Sequence, residues 1–482
     1  MSEGQASKMW SGRFREPLDR TFEQWQRSFP FDWRLLPHEI DASIAHARMI
    51  EAAGILTSDE LLCMIEGLRA IGVRESFGND MMQRGAMIVA ASPQAEDIHH
   101  YVELELTKEI GDLALKLHTG RSRNEQIATD MRLFVREAID STLDGLDGWR
   151  EALIDLATAA GESVMPSYTH LQRAEPVLVA HWLLAYVSMI ERDAGRLTDA
   201  RTRMNLCPLG SGAVAGATLA LDRSIAAKAL GFDEPTPNSM DATSDRDFAL
   251  EFTQAIATLG IHISRFAEEL TLYSTAEFGF LDLPEAFSTG SSAMPQKKNP
   301  DLTELIRGKS GRLLGAATTL ATLIKGLPLA YNKDLQEGQE PIFDAADTIT
   351  GILSVLPAFT RSLKFRYDRM KTAAETGYLN AMAAATYLTH KSIPFRKAHE
   401  HIGNAVRLGL ETNRELQHLT LEELRNICLE FDTDFYAAIT LEATLDCHDV
   451  IGGTARPRVA AALADARRRI IILNTYESAK LD

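Results

Sequence analysis

Apolar residues recur along this chain in steps of three and four. From Ser244 onward they fall at Phe248, Phe252, Ile256, Leu259, Ile263, Phe266, Leu270 and Tyr273, one continuous helical stripe. The run from 246 to 274 would span about 40 Å at 1.5 Å per residue. Ser244 with Asp247 reads as a capping box at its start. Comparable runs begin near Asn124 (Ile127, Met131, Phe134, then Leu146, Trp149, Leu153) and after Glu175-Pro176, with the proline in a first turn. Others begin after Asp301 and at Pro341. Strict alternation is almost absent, so no substantial sheet is expected. The pattern predicts an all-α protein in which five long helices between about 122 and 370 form a central bundle. It divides the chain into an N-terminal helical domain (1–121), the long-helix bundle (122–374) and a C-terminal helical domain (375–482), with no internal repeat. Near-heptad stripes on several long helices must be covered somewhere, which predicts symmetric self-association.

Composition narrows the function classes. Of the 482 residues, 45% are hydrophobic and 24% charged, as in a soluble globular chain with an ample core. A net charge of −17 argues against a nucleic-acid partner, which needs a basic face. Against that background the cations at Arg121, Arg123, Lys297 and Lys298 are local features. The four cysteines (Cys63, Cys207, Cys428, Cys447) form no CxxC pair, which fits reduced thiols in the cytoplasm. The N-terminus MSEGQASKMW has no apolar core of a signal peptide. No run approaches the 18 or more apolar residues of a membrane span. A soluble cytoplasmic protein is expected.

Five separated segments carry dense polar chemistry beside glycine or proline: Asp97-Ile98-His99, HTGRSRNEQ (118–126), SYTHLQRAEP (167–176), TGSSAMPQKKNPD (289–301) and AYNKDLQE (330–337). Each adjoins a helical run, where unpaired backbone groups and partial charge are available. Arg121 and Arg123 in GRSRN suit an anion site at a helix N-terminus. His170, just ahead of a predicted helix, is a structural histidine unless a carboxylate orients it for proton transfer. Ser291 is an ordinary turn residue unless cations such as Lys297 and backbone donors stabilise its alkoxide. LGSGAVAG (209–216) misses the GxGxxG spacing and follows no strand. His99-His100 and His399-Glu400-His401 do not form HExxH, so no catalytic metal is expected, and no GxSxG elbow or Walker lysine is present.

Together these segments resemble the argininosuccinate lyases of the fumarase/aspartase superfamily. The GSSxMPxKxNP loop is shared across that superfamily; HTGRSRN, YTHLQRA, NSMDATSDRDF (238–248), MPQKKNPD and AYNKDLQE are specific to the argininosuccinate branch. The likeness runs from Trp10-Ser11-Gly12-Arg13-Phe14 to Gly452-Gly453-Thr454-Ala455. It implies reversible cleavage of argininosuccinate to arginine and fumarate without metal or organic cofactor. By the same matching Ser291 is the base, His170 pairs with Glu304, and Lys297 stabilises developing charge. Ser28, Ser122, Arg123, Asn124, Thr169, Asn299, Tyr331 and Gln336 would hold the substrate. It further implies a homotetramer whose active sites each draw on three subunits.

The chain departs from the family pattern at Gly338 and Gln339, where Asp and a substrate-contacting Lys are usual, and at Glu125 (usually Asp) and Glu175 (usually Gln). The stretch from Gly78 to Ser92 reads as longer than usual. Competing expectations are a superfamily lyase acting on another N-substituted succinate, and a non-catalytic structural paralogue.

Overall fold

The computed structural model describes residues 16–75 and 81–478, with the side chains of 81, 82 and 471–478 excepted. The Trp10–Phe14 segment therefore lies outside the described residues. Helices dominate. The five long ones are Arg123–Ala160, Val179–Met204, Asp247–Ser274, Asp301–Ile324 and Gln339–Arg361, at the positions that the apolar stripes predict. Among the described residues strands occur only in pairs, the longest a hairpin of Val164–Thr169 with Gln172–Leu178.

Two helix starts differ from expectation. Ser244 ends a short helix, Ser239–Ser244; the chain turns extended at Asp245, whose carboxylate accepts the Asp247 amide at 2.7 Å and starts the long helix. Pro176 is not in a helical first turn. It lies in the second hairpin strand opposite Pro166, and the helix begins at Val179. The Leu178 amide donates instead to Thr454 Oγ1 at 2.9 Å. Extended pairing satisfies this backbone before the helix can start, and proline without an N–H is no loss in a strand whose other face is unpaired.

The chain falls into two compact units. One comprises residues up to Ser141, Gly195–Ala257 and Arg312–Thr348; the other comprises Thr142–Ala194, Thr258–Gly311 and residues from Ile349. In the first, Phe134 and Phe343 pack edge to face at 4.8 Å, and the Arg34 guanidinium sits 5.0 Å from the Phe343 ring. Arg132, almost fully buried, bridges the Met204 carbonyl (2.9 Å) and the Asp245 carboxylate. In the second, Trp149 and Phe266 are both buried and meet edge to face at 5.5 Å. Trp149 Nε1 donates to Thr360 Oγ1 at 3.1 Å, and Tyr186 stands edge-on to Phe266 at 4.9 Å. Gly145 lets two helices approach closely: a Cβ there would lie 2.9 Å from Leu353 Cβ.

One stretch, Lys333–Arg361, is long and apolar enough (hydropathy 1.4) to cross a membrane, contrary to expectation; 56% of its apolar window is buried. Its buried face, through Ile342, Phe343, Ile349, Ile352, Leu356 and Phe359, follows helical spacing, the pattern of a core helix.

Of the stretch 78–92, Gly78, Asn79 and Asp80 lie outside the described residues. The remainder forms the helix Met81–Ala91, where Gly85 fits under the Trp33 indole: a Cβ there would meet the ring at 2.4 Å.

Candidate active site

In the first unit, six of the expected substrate-binding residues sit on or beside one polar network. Asp97 caps the helix Ile98–Ile110 by accepting the His100 amide at 2.8 Å, and its carboxylate also takes Arg123 Nη1 at 2.8 Å. Burial alone would raise the Asp97 pKa, but Arg123 and His99 outweigh it and the net shift is downward. Arg123 reaches Glu96 at 3.3 Å; Glu96 accepts Gln26 Nε2 at 3.0 Å, and Gln336 Nε2 donates to the Gln26 carbonyl at 3.2 Å. Ser28 is buried, takes its amide to the Glu96 carbonyl, and donates its hydroxyl to Asp32 at 2.6 Å. Burial pushes the Asp32 carboxyl up to about 7, with Asp97 adding to the shift. Tyr331 feels the charges of Arg246, Asp97, Asp32 and Arg123, and burial raises its phenol pKa. Ser122 and Asn124 belong to the turn that opens the helix Arg123–Ala160, where the Asn124 amide donates to Ser122 Oγ at 3.3 Å.

Asp97 lies in one of the five polar segments, but two groups in this network are not legible as site residues from pattern. Asp32 lies in no dense polar motif. Arg246 is fully buried beside Tyr331, with a pKa lowered to about 10 chiefly by burial; its one sequence signal is the SDRDF of the 238–248 motif.

Deeper in the same unit Glu39, His99 and Asp130 place ligand atoms within 4.8 Å of one another, all buried. A sequence search for HExxH misses such a set because the three come from three helices. His99 Nδ1 lies 2.7 Å from Glu39 Oε2; Ser43 (2.8 Å) and Gln126 (3.1 Å) donate to Glu39 Oε1. Burial works against both charges of the Glu39–His99 pair. Their attraction still holds Glu39 down at about 2 and His99 up, while burial and Glu39 raise Asp130. The arrangement is a buried Glu39–His99 pair with the Asp130 carboxyl alongside, its pKa raised by burial and by Glu39, and it links three helices.

In the second unit the loop 289–301 is held at its base by the pairing of Thr289 with Asn299 and Gly290 with Lys298. The Thr289 amide donates to Asp301 at 2.7 Å, Asn299 Nδ2 to Thr289 Oγ1 at 3.4 Å, and Lys298 Nζ to the Leu283 carbonyl at 2.7 Å. Ser291 Oγ accepts two backbone amides, from Ala293 at 3.2 Å and Met294 at 3.0 Å. Paired N–H donors on a hydroxyl oxygen favour its negative form. Lys297 is exposed on this loop. Glu304, also exposed, lies one turn into the next helix, 3.8 Å from Arg307.

Thr169 and His170 are exposed at the hairpin tip, not immediately ahead of a helix. His170 and Leu171 both have positive φ, 55° and 59°, the two-residue turn whose twist suits a hairpin. Among the described residues no hydrogen bond or ion pair joins Ser291, His170, Lys297 and Glu304. A cavity of about 640 Å³ lies beside the hairpin, lined by Tyr168, Arg173, Phe278 and Arg369 among others. Both arginines there donate to backbone carbonyls, Arg173 to Ala373 and Arg369 to Phe278, and none of the expected site residues lines it.

The departures have local partners. Glu175 is half-buried and faces His448 Nε2 at 3.6 Å. Gly338 lies against Leu320 and Leu323, where a Cβ would come within 3.1 Å. Gln339 is buried, and its Oε1 has no hydrogen-bond partner among the described residues.

A family model described as "Lyase" matches residues 12–315, and one described as "Argininosuccinate lyase C-terminal" matches residues 378–446. The argininosuccinate lyase of Acidobacterium capsulatum is 62% identical over 462 residues, covering 96% of this chain and 94% of the relative. That of Koribacter versatilis is 55% identical, covering 98% and 99%. Among solved structures, an EDDS lyase in complex with formate superposes with a TM-score of 0.79 at 24% identity, covering 94% of this chain and 91% of the other. A class II fumarase from Schistosoma mansoni does so with 0.71 at 14%, covering 84% and 90%. At those identities the two structures are similar in fold.

Proposed function

This chain belongs to the argininosuccinate lyase family, and from that premise we propose how its residues divide the work of cleaving argininosuccinate into arginine and fumarate. The enzyme is a carbon–nitrogen lyase of arginine biosynthesis. Ser291 is the base. It takes a proton from the carbon beside a substrate carboxylate, and the electron pair passes into that carboxylate, which becomes doubly charged. The C–N bond then breaks, its electrons go to the guanidinium nitrogen, and that nitrogen gains a proton. The observation that carries this assignment is the pair of amides on Ser291 Oγ, because a serine hydroxyl is a poor base until its alkoxide is stabilised.

Each donor aimed at developing charge is worth about 3–4 kcal/mol, so several must converge. Lys297 and Asn299 provide them on the loop. Ser122, Arg123 and Asn124, at the start of the 123–160 helix, form the anion-binding turn. Ser28, Thr169, Tyr331 and Gln336 complete the substrate contacts. His170, paired with Glu304, handles the second proton. Every role falls to side chains and backbone amides, and no metal or organic cofactor is invoked.

The working form is a homotetramer with shared active sites. His170, Lys297 and Glu304 are exposed and Ser291 is half-buried, and among the described residues no hydrogen bond or ion pair joins the four; this supports an assembly in which other copies supply the missing neighbours. So do the apolar residues left exposed on two long helices: Leu305 (59%), Leu314 (44%) and Ile261 (44%). Residues 1–121, 122–374 and 375–482 serve as the three helical domains of each subunit. A cytoplasmic location without membrane or nucleic-acid partners fits the net charge of −17.

Purified protein given argininosuccinate should release fumarate, read as rising ultraviolet absorbance, and Ser291→Ala should abolish it. Absence of fumarate from the unmutated protein overturns the assignment.

A further inference from the structure

The glycine-rich stretch Leu209–Gly216 lacks the GxGxxG spacing, yet it is built around two charged side chains. Arg223 donates to the carbonyls of Leu209 (2.8 Å), Cys207 (3.0 Å) and Pro208 (3.2 Å), and to Ser211 Oγ (3.0 Å). Two of its glycines cannot be replaced without strain. Gly210 has φ +85° and a Cβ would fall 2.5 Å from Arg223 Cγ; Gly212 has φ +60° and a Cβ would fall 2.8 Å from the Gly216 carbonyl oxygen. From the other side comes Glu125, with no exposed surface. One of its oxygens accepts the Ser122 amide at 3.0 Å and the other accepts the Gly212 amide at 2.8 Å. Asn124 Nδ2 adds a 3.3 Å bond to the Ala213 carbonyl.

A buried carboxylate is costly unless its oxygens are satisfied. Here both are used, each on a different segment. The carboxylate is the clasp between the loop and the Ser122–Asn124 turn. Aspartate, one methylene shorter, would reach both amides only if the two segments drew closer together.

We propose that Glu125 is a positioning residue: by bridging the Ser122 and Gly212 amides it seats the Ser122–Asn124 turn on the glycine-rich loop and sets the geometry in which that turn meets a substrate carboxylate. This rests on the reading of Ser122, Arg123 and Asn124 as carboxylate-binding groups.

Glu125→Gln keeps the shape but turns an NH2 towards one of the two amides, breaking half of the bridge. Its KM for argininosuccinate should rise about tenfold with kcat held within about threefold, the scale of one lost bond to a charged acceptor. Exchange of the Ser122 and Gly212 amides should quicken by a similar factor. Glu125→Asp keeps the charge and should take an intermediate KM. If Glu125→Gln does not fold, Glu125→Asp carries the test through its KM alone. A lowered melting temperature with wild-type KM in the folded variants overturns the proposal, because the clasp is then structural only. Failure of the unmutated enzyme to release fumarate would instead strike the functional reading, and the exchange rates would still report on the bridge.

Discussion

Replacing Arg223 with lysine tests how the glycine-rich loop is held. The guanidinium shares its five N–H groups among six acceptors, Thr236 O (2.8 Å) and Thr236 Oγ1 (2.7 Å) joining the four above. Lysine has three donors and no planar fork, so at least three acceptors lose their partner. Not all would be orphaned. The Cys207 carbonyl also accepts the Thr236 amide at 2.9 Å, and that of Pro208 the Ser211 amide at 3.1 Å. The carbonyls of Leu209 and Thr236 carry most of the loss, and both residues are buried, with 0% and 4% exposure. At about 1–3 kcal/mol for each buried acceptor left unpaired, Arg223→Lys should cost about 3 kcal/mol. Denaturant unfolding at fixed protein concentration measures the total, since assembly makes stability concentration-dependent. Amide exchange at Gly216 and Ala217, whose protons go to Ser211 O and Gly210 O, measures it locally and should speed about a hundredfold. A variant within about 0.5 kcal/mol of the parent, with unchanged exchange at those amides, would refute this account of the loop.

Two further outcomes follow from buried polar pairs. Trp149→Phe removes the bond to Thr360 Oγ1, both residues being fully buried, and should cost about 1–3 kcal/mol; no loss in a denaturant titration would mean that the hydroxyl oxygen finds another donor. The Glu39–His99 pair predicts a stability window in pH. Glu39, held at about 2 against a usual 4.5, contributes fully above 4.5 and loses that contribution as pH falls towards 2. His99, raised from 6.5, contributes fully below 6.5 and loses that contribution as pH climbs through its folded value. The stability difference between the parent and His99→Gln should therefore be greatest between 4.5 and 6.5, and a difference that is flat in pH would contradict the ion-pair assignment.

The sequence alone determined the five long helices, because an apolar residue every three or four positions is a local property that survives any tertiary arrangement. It also determined the family, since the motifs are contiguous and their spacing needs no structure to read. Helix starts were less legible. Whether Pro176 opens a helix depends on what pairs with Leu178, and here Thr454, almost three hundred residues away, takes its amide. The site was legible where its chemistry sat in a motif, as at Arg123 and Ser291. It was hidden at Asp32 and Arg246, because burial and charged neighbours from other segments, not residue type, give those groups their character. The Glu39–His99–Asp130 set, the Glu125 clasp and the role of the glycines around Arg223 were tertiary decisions for the same reason. Each satisfies a buried charge with partners that the linear order of residues does not reveal.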